Sequence, residues 1–330
     1  MRNSTKLTSV AAVLLGMGLS SAAFAGSDIQ GNVDAKFEAG KGGALNATIG
    51  AKSEATQRAN TIQDSIVVGD VSMDLVAGEG GLLNISIDEG TTAEQNVNAI
   101  IGSQVNDVTM VTNADQGGFL NVAIGDNSQA TQHIATIKDS TISGSVESNV
   151  VVGRAGAANL TVAKDSVATM LVNSIDNSQG TGNIKLNTEV EKGIILNIAG
   201  AEKSTAKLLV SSIEDSTING NVDISNQLGS AGIINGAFAS SSTAEALIGA
   251  VTNDSEINGN LTISNEFSEI AGTMNLSLAE NAVARQAIGS VSGSKITGNA
   301  SISNKFESGG AVNIGVAADT TTNQSIGAIQ

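Results

Sequence analysis

The sequence GGFLNVAIGDNSQATQHIATIKDSTISGSVESNVVVGRA, residues 117–155, is one copy of a unit of about 38 residues that recurs along almost the whole chain. The unit is marked by an asparagine that returns after 38, 37, 38, 38, 38, 40 and 38 residues. A register kept over eight copies predicts that each copy occupies an equivalent place in a stack. The eight asparagines are Asn46, Asn84, Asn121, Asn159, Asn197, Asn235, Asn275 and Asn313.

Three further columns keep the same register. Alanine stands nine residues after each of these asparagines, with Thr322 as the one exception. Isoleucine or valine stands sixteen residues after each asparagine, at Ile62, Ile100, Ile137, Ile175, Ile213, Val251, Val291 and Ile329. Glutamine forms a column interrupted by Met170, Leu208 and Ala246, and its members are Gln57, Gln95, Gln132, Gln286 and Gln324.

These columns are interpreted as architecture and not as sites for a ligand. If the copies stack about 4.8 Å apart, equivalent side chains form ladders. A buried column of amides satisfies itself, whereas an isolated buried asparagine would be costly. The alanine column leaves room for a close approach of two sheets, and the isoleucine and valine column predicts an apolar seam.

Each unit predicts three short strands, which are residues 120–124, about 130–137 and 142–152 in the copy quoted above. Alternation of apolar and polar residues is typical of half-buried strands. In the first strand, Leu, Val and Ile lie on one face and Asn and Ala on the other. Turn residues separate the strands. The predicted fold is an all-β repeat β-solenoid, an amyloid-like stack with three short strands per layer and roughly eight layers.

The composition excludes several other classes. Proline is absent from all 330 residues, which suits backbone pairing along the whole length because proline cannot donate to a ladder. Cysteine is also absent, so the chain has no disulfide and no thiolate metal site. Aromatic residues make up 2%, which argues against a conventional globular core or a carbohydrate platform built on aromatic stacking.

Residues 1–25 are predicted to be a signal peptide. Arg2 and Lys6 precede the apolar run Val10–Leu19, and Ala23-Phe24-Ala25 has the small-x-small pattern of a cleavage site. The run is too short to cross a bilayer, and no later stretch is apolar enough, so we expect no membrane span. Removal of the two basic residues would change the net charge from −16 to −18. Such an acidic secreted chain is not expected to have the basic surface that binding to nucleic acid requires.

The repeats divide the rest of the chain unevenly. Residues 26–41 match only the third strand of a unit, residues 42–309 contain seven full repeats, and residues 310–330 match the first two strands. The two part-units have 16 and 21 residues, which together approach one unit. One hypothesis is that the N-terminal strand of a second subunit completes the C-terminal part-layer, which would generate a head-to-tail filament. The alternative is that the ends of the array fray arbitrarily.

The run from Leu120 to Gln129, LNVAIGDNSQ, resembles the core motif of the Fap-type secreted functional amyloids of bacterial biofilms. It is similar, more loosely, to curlin repeats. The resemblance implies an extracellular fibre subunit that passes through the periplasm and the outer membrane and assembles as a β-solenoid or cross-β stack. It further implies an exporter, a nucleator or minor subunit, and core ladders at Asn121, Gln132 and their equivalents.

No residue pattern predicts a catalytic, cofactor-binding or metal site, so we expect the protein not to be an enzyme and to use no cofactor. His133, the one histidine, is interpreted as a solvent-facing residue because no other repeat has an equivalent. The acidic residues fall at turns and outward strand positions, which is typical of a solvated face. Calcium remains open, although the Gly-Gly-x-Gly-x-Asp loop of calcium-binding β-rolls is absent and the fragment at Gly78–Gly81 lacks its spacing.

The sequence therefore favours a structural subunit of an extracellular amyloid-like fibre, in a biofilm matrix or in surface attachment. Its main partner would be a further copy of the same chain, joined head-to-tail through exposed solenoid ends. A solenoid end without a polar cap exposes unpaired backbone and invites such association. The alternative function is a monomeric β-solenoid adhesin at the cell surface that binds a surface or a glycan.

Overall fold

A computed structural model describes residues 23–52, 54–154, 156–269 and 271–329. Within them the chain forms only strands, turns and bends, and winds into a β-solenoid of about eight turns, as predicted. Every strand pairs in parallel with the strand one repeat away, so that Asn121 lies beside Asn159. No helix in this part of the chain could span a membrane.

The predicted leader lies almost entirely outside the described residues. Only its last three residues are described, and they form β1 (Ala23–Ala25), which pairs with Thr61–Gln63.

Sheet 1 holds the asparagine column and contains the first predicted strand of each unit. Its eight strands follow the order of the layers. They are β4 (Ala44–Ile49), β8 (Leu82–Ile87), β12 (Phe119–Ile124), β17 (Gly156–Thr161), β22 (Ile194–Ala199), β27 (Gly232–Ala237), β32 (Gly272–Ser277) and β37 (Gly310–Gly315).

Sheet 2 holds the alanine, glutamine and isoleucine columns. In the first two layers one long strand continues through the corner at Asn60 and Asn98, and in later layers the corner divides that strand into two. Besides β1, the strands are β5 (Glu54–Gln63), β9 (Thr92–Ile101), β13 (Gln129–Ile134), β14 (Ile137–Lys138), β18 (Val167–Val172), β19 (Ile175–Asp176), β23 (Thr205–Val210), β24 (Ile213–Glu214), β28 (Thr243–Ile248), β29 (Val251–Thr252), β33 (Val283–Ile288), β34 (Val291–Ser292) and β38 (Thr321–Ile326).

Sheets 3 and 4 divide the third predicted strand between them. Sheet 3 consists of the two-residue strands β2 (Asp28–Ile29), β6 (Ile66–Val67), β10 (Gln104–Val105), β15 (Thr141–Ile142), β20 (Gln179–Gly180), β25 (Thr217–Ile218), β30 (Glu256–Ile257) and β35 (Lys295–Ile296). Sheet 4 consists of β3 (Val33–Ala39), β7 (Val71–Ala77), β11 (Val108–Ala114), β16 (Val146–Val152), β21 (Ile184–Val190), β26 (Val222–Leu228), β31 (Leu261–Phe267) and β36 (Ala300–Phe306).

Three corners with left-handed backbone turn the chain within each layer. The first corner lies between sheets 1 and 2, the second within sheet 2, and the third before sheet 3. Asn, Asp and Gly dominate because they tolerate positive φ. The second corner has φ between 44° and 63° and is formed by Asn60, Asn98, Ala135, Asn173, Ser211, Gly249, Gly289 and Gly327. Members of the third corner include Asp64, Gly102, Asp139, Asn177, Asp215 and Gly293.

We expect Gly289→Ala to destabilise the protein by about 2–4 kcal/mol, because strain and overpacking both oppose the new methyl group. Its φ is +50°, and a Cβ would approach Asn304 Oδ1 to 2.2 Å. The matched control is Gly293→Ala, where φ is +59° but no atom lies within 4 Å of the Cβ. Urea unfolding should show the larger loss at Gly289. Equal losses would mean that the strained backbone alone requires glycine.

Two apolar clusters fill the interior. One cluster lies between sheets 1, 2 and 4 and includes Phe119, Leu208 and Phe267. The other lies between the second half of sheet 2 and sheets 3 and 4, and it contains most of the isoleucine and valine column. At the C-terminal end, Phe267 and Phe306 stack with ring centroids 4.5 Å apart. The apolar seam predicted from the sequence is thus part of the second of these clusters.

Candidate functional site

The asparagine column forms a continuous amide ladder inside the solenoid. Each Nδ2 donates to Oδ1 of the asparagine one layer further along, for example from Asn121 to Asn159 and from Asn159 to Asn197, both at 2.9 Å. The same Nδ2 of Asn159 also donates to the carbonyls of Ala130 and Thr169 at 3.0 Å. The ladder therefore connects sheet 1 to sheet 2 as well as layer to layer.

The asparagines from Asn84 to Asn275 are fully buried, which settles the orientation of sheet 1. In β12, Asn121 and Ala123 point inward, whereas Leu120 and Val122 are half-buried and Ile124 is exposed. In this strand the larger aliphatic side chains thus face outward, although Leu82, Ile195 and Ile233 of other layers share the inward face with the asparagines. Amides can occupy the interior because each one finds its partners in the adjacent layers.

The glutamine column forms two shorter ladders that run in the opposite direction. Nε2 of Gln132 donates to Oε1 of Gln95, and Nε2 of Gln95 donates to Oε1 of Gln57, both at 2.6 Å. Gln324 donates to Gln286 at 2.9 Å near the other end of the solenoid. Buried apolar residues occupy this column in the intervening layers: Met170, Leu208 and Ala246.

A serine column after the third corner supplies a further ladder that the sequence interpretation treated only as a turn. The hydroxyl of Ser103 donates to the carbonyl of Ile101 at 2.8 Å and accepts from the backbone N–H of Ser65 at 3.1 Å. The arrangement repeats in the next layers, and Ser140 N–H donates to Ser178 Oγ at 3.1 Å. The signal in the sequence was an uninterrupted column: Ser27, Ser65, Ser103, Ser140, Ser178, Ser216, Ser255 and Ser294.

The two ends of the solenoid carry complementary amide groups. Among the described residues, Asn46 Oδ1 accepts no hydrogen bond, and Asn313 Nδ2 donates to Ala284 and Asn323 carbonyls but to no further asparagine. In the glutamine column the polarity is reversed. Gln324 Oε1 accepts no bond within the described chain, and Gln57 Nε2 donates to the Ala44 carbonyl alone.

The seam residues show the same contrast between interior and end. Ile62, Ile100, Ile137, Ile175, Ile213, Val251 and Val291 are buried. Ile329 pairs with Val291 but is 63% exposed, because no described layer lies beyond it. The predicted column is therefore a buried seam for seven members, and its last member is an exposed apolar group at the C-terminal end.

The interpretation of His133 as a solvent-facing residue was wrong. Its side chain is 5% exposed because the second corner makes the outer surface of sheet 2 concave, and Nδ1 lies 2.9 Å from Asn96 Oδ1. Burial, and to a lesser extent the charge of Lys138, lowers the pKa of His133 to about 4, although Asp176 and Asp139 oppose the change. We infer a neutral imidazole that donates its Nδ1–H to Asn96.

This burial predicts a loss of stability in acid. An unfolded histidine has a pKa near 6.5, so the unfolded chain binds the extra proton between about pH 6.5 and 4. The contribution is complete above pH 6.5 and is lost as the pH falls to about 4, with a total near 3 kcal/mol. His133→Leu, which copies Leu171 in the next layer, should flatten this part of the pH profile in urea unfolding. An unchanged slope would contradict the assignment.

The acidic residues nearest to a metal-binding geometry are Asp176, Glu214 and Asp215. Lysines already neutralise two of them: Lys138 contacts Asp176, and Lys207 Nζ lies 2.5 Å from Glu214 Oε2. Burial raises the pKa of Glu214 in spite of this ion pair. The Lys138–Asp176 salt bridge joins adjacent layers, and the Lys207–Glu214 salt bridge lies within one layer, so two of the three carboxylates already have a cationic partner.

Comparisons with protein-family models, with curated proteins and with solved structures gave no match.

Proposed function

We propose that this protein is the structural subunit of an extracellular amyloid-like fibre, which serves a biofilm matrix or surface attachment. Subunits join head-to-tail, so that the C-terminal end of one solenoid stacks on the N-terminal end of the next. Export through the outer membrane and the help of a nucleator or minor subunit belong to the same proposal. The resemblance to Fap-type fibre proteins supports it, together with the following geometry.

The observation that carries the proposal is the complementarity of the ladder ends. In a head-to-tail contact, Asn313 Nδ2 of one copy would donate to Asn46 Oδ1 of the next, as each asparagine does within the chain. Gln57 Nε2 of the next copy would donate to Gln324 Oε1 of the first. Both ladders, although of opposite polarity, would continue across the same contact.

The strands at the two ends also complement each other. Without the predicted leader, which includes β1, the first layer begins with β2 and β3 of sheets 3 and 4, whereas the last strands of the chain are β37 and β38 of sheets 1 and 2. A second copy stacked in register would add β2 and β3 to β35 and β36, and would add β4 and β5 to β37 and β38. Such a contact does not close on itself and produces a filament.

The proposal is tested by incubating the purified chain, without its leader, at low micromolar concentration. We expect unbranched fibres with a reflection at about 4.7–4.8 Å along the fibre axis. Deletion of residues 26–41 should prevent their growth, because the last layer would lose the strands that complete it. A soluble monomer that persists for days would contradict the fibre function and favour the monomeric adhesin. Fibres that form equally well after the deletion would contradict the head-to-tail contact.

A further inference from the structure

The outer face of sheet 1 is apolar over its whole length. We number its positions from the ladder asparagine of each layer, and positions −3, −1, +1 and +3 point outward. Across eight layers these 32 positions contain only Gly, Ala, Val, Leu, Ile, Met and Phe. Leu45, Ile49 and Val162 are 62%, 76% and 58% exposed. A parallel sheet is normally covered on both faces, so this exposed apolar face resembles one side of a buried interface between two sheets.

The two outer columns of this face differ in size in a regular way. Position −3 is glycine in seven layers, and in the same layers position +3 is a large apolar residue. In the fifth layer the two are exchanged, with Ile194 at −3 and Gly200 at +3. The pairs are Gly43/Ile49, Gly81/Ile87, Gly118/Ile124, Gly156/Val162, Ile194/Gly200, Gly232/Phe238, Gly272/Leu278 and Gly310/Val316.

We propose that two copies of this chain pair through the outer faces of sheet 1, related by a two-fold axis parallel to the solenoid axis. This operation reverses the strand direction, so position −3 of one copy lies opposite position +3 of the other in the same layer. Every row then places one glycine against one large side chain, including Ile194 against Gly200 of the second copy. In the first four layers the glycine column leaves an open groove of about 600 Å³ that ends at Ile194, and the second copy's +3 side chains of these layers would enter it.

Other arrangements lose this fit. If the copies ran antiparallel, position −3 would face position −3, and six of the eight rows would place glycine against glycine. A shift by one layer would place Ile194 against Val162 or Phe238. In the first four layers the fold itself requires glycine at position −3, because a Cβ there would come within 2.4 to 2.7 Å of a backbone carbonyl oxygen of the next layer. It does not require glycine at Gly232 or Gly310, where a Cβ would meet no atom within 4 Å. In the fifth layer a Cβ at Gly200 would lie 3.3 Å from its nearest neighbour, Thr161 O, so the fold does not force glycine there, and a partner with the same sequence accounts for the exchange.

Area and charge also favour a second copy. Eight strands about 4.8 Å apart and six residue steps of about 3.3 Å give a face near 750 Å², so a pair would bury roughly 1,500 Å², a standard size for a stable interface. The chain carries a net charge of −16, but none of it lies on this face. Two acidic copies can therefore meet here without like-charge repulsion at the contact. The pairing is lateral and does not depend on polymerisation through the ends.

Cysteine cross-linking tests the pairing, because the full chain has no cysteine of its own. Ile194→Cys and Gly200→Cys variants are mixed in fibre-free solution and treated with a bis-maleimide of about 10 Å, the usual distance between packed sheets. We expect cross-linked dimers in the mixture and at most traces with either variant alone, since like positions would lie about 20 Å apart along the strands. Equal cross-linking with one variant alone, or no dimer in the mixture, would overturn the proposal.

A size exchange at the sixth layer provides a second, independent test. Gly232→Ile should raise the Kd of the dimer at least about tenfold, since the introduced isoleucine side chain would meet Phe238 of the second copy. Gly232→Ile combined with Phe238→Gly reproduces the arrangement of the fifth layer and should restore the dimer in sedimentation equilibrium. Circular dichroism confirms that each variant folds. A sedimenting monomer in the unaltered protein, or binding of this face to lipid vesicles in place of dimerisation, would refute the pairing.

Discussion

Asn159→Ala is expected to lower the free energy of unfolding by about 2–4 kcal/mol. The substitution removes Nδ2, whose two hydrogens serve three acceptors at 2.9 to 3.0 Å, and the acceptor that receives Asn121 Nδ2. Asn197 Oδ1 then remains buried without its partner in the ladder. The desolvation of such groups is expensive, and a small cavity adds to the loss. Urea unfolding of the soluble chain measures the effect.

The matched control is Asn187→Ala on the outer side of sheet 4. Asn187 also belongs to an amide pair between layers and donates to Asn149 Oδ1 at 2.9 Å, but it is only half-buried. Water can replace that bond, so we expect a loss below about 1 kcal/mol. If the two variants lost equal stability, burial would not be the reason why the asparagine ladder stabilises the fold.

Thr322→Pro is expected to slow fibre elongation at least about tenfold, while the stability of the monomer changes little. Thr321 N–H and Gly327 N–H both donate back to the preceding layer, at 3.0 Å each. Alternation along a parallel strand therefore directs the N–H of Thr322 toward the open end. Proline removes that donor and places its ring in the path of an incoming strand, without breaking a bond inside the subunit.

Thr322→Ala is the control, because alanine occupies this column in the other seven layers. It retains the backbone donor and should elongate at the rate of the unaltered protein. Elongation is followed by fluorescence with preformed seeds, and urea unfolding compares the monomers. Normal growth of Thr322→Pro would contradict a contact through this edge.

The period of the solenoid could be predicted from the sequence because stacking favours the same residue at equivalent buried positions of successive layers. The asparagines, the alanines and the seam represented by Ile137 all occupy interior positions in successive layers, and each had a fixed spacing. The absence of proline further indicated that the backbone hydrogen bonds between layers could continue without interruption.

The orientation of sheet 1 could not be predicted in the same way. Alternation separates Leu120 from Asn121, but both faces of this strand contain apolar residues, and hydrophobicity alone favours leucine inside. The amides are inside because Asn84 and Asn159 supply partners for Asn121, which depends on the contacts between layers.

The corners and the burial of His133 also depend on three-dimensional geometry. Left-handed backbone at Ala135 divides the second predicted strand, although alanine gives no turn signal. That corner forms the concave surface where His133 is buried. An isolated residue without equivalents in other repeats carries no periodic signal, so its environment appears only when the path of the chain is known.

The mass per unit length of the fibres tests the central claim most directly. Head-to-tail stacking of an eight-layer solenoid predicts one chain for about every 38 Å of each protofilament, given a layer spacing of about 4.8 Å. Scanning transmission electron microscopy of unstained fibres measures this quantity. If solenoids pair laterally, we expect two chains in the same length of fibre. One chain for every 4.8 Å or so, as in a stack of flat identical strands, would contradict the account.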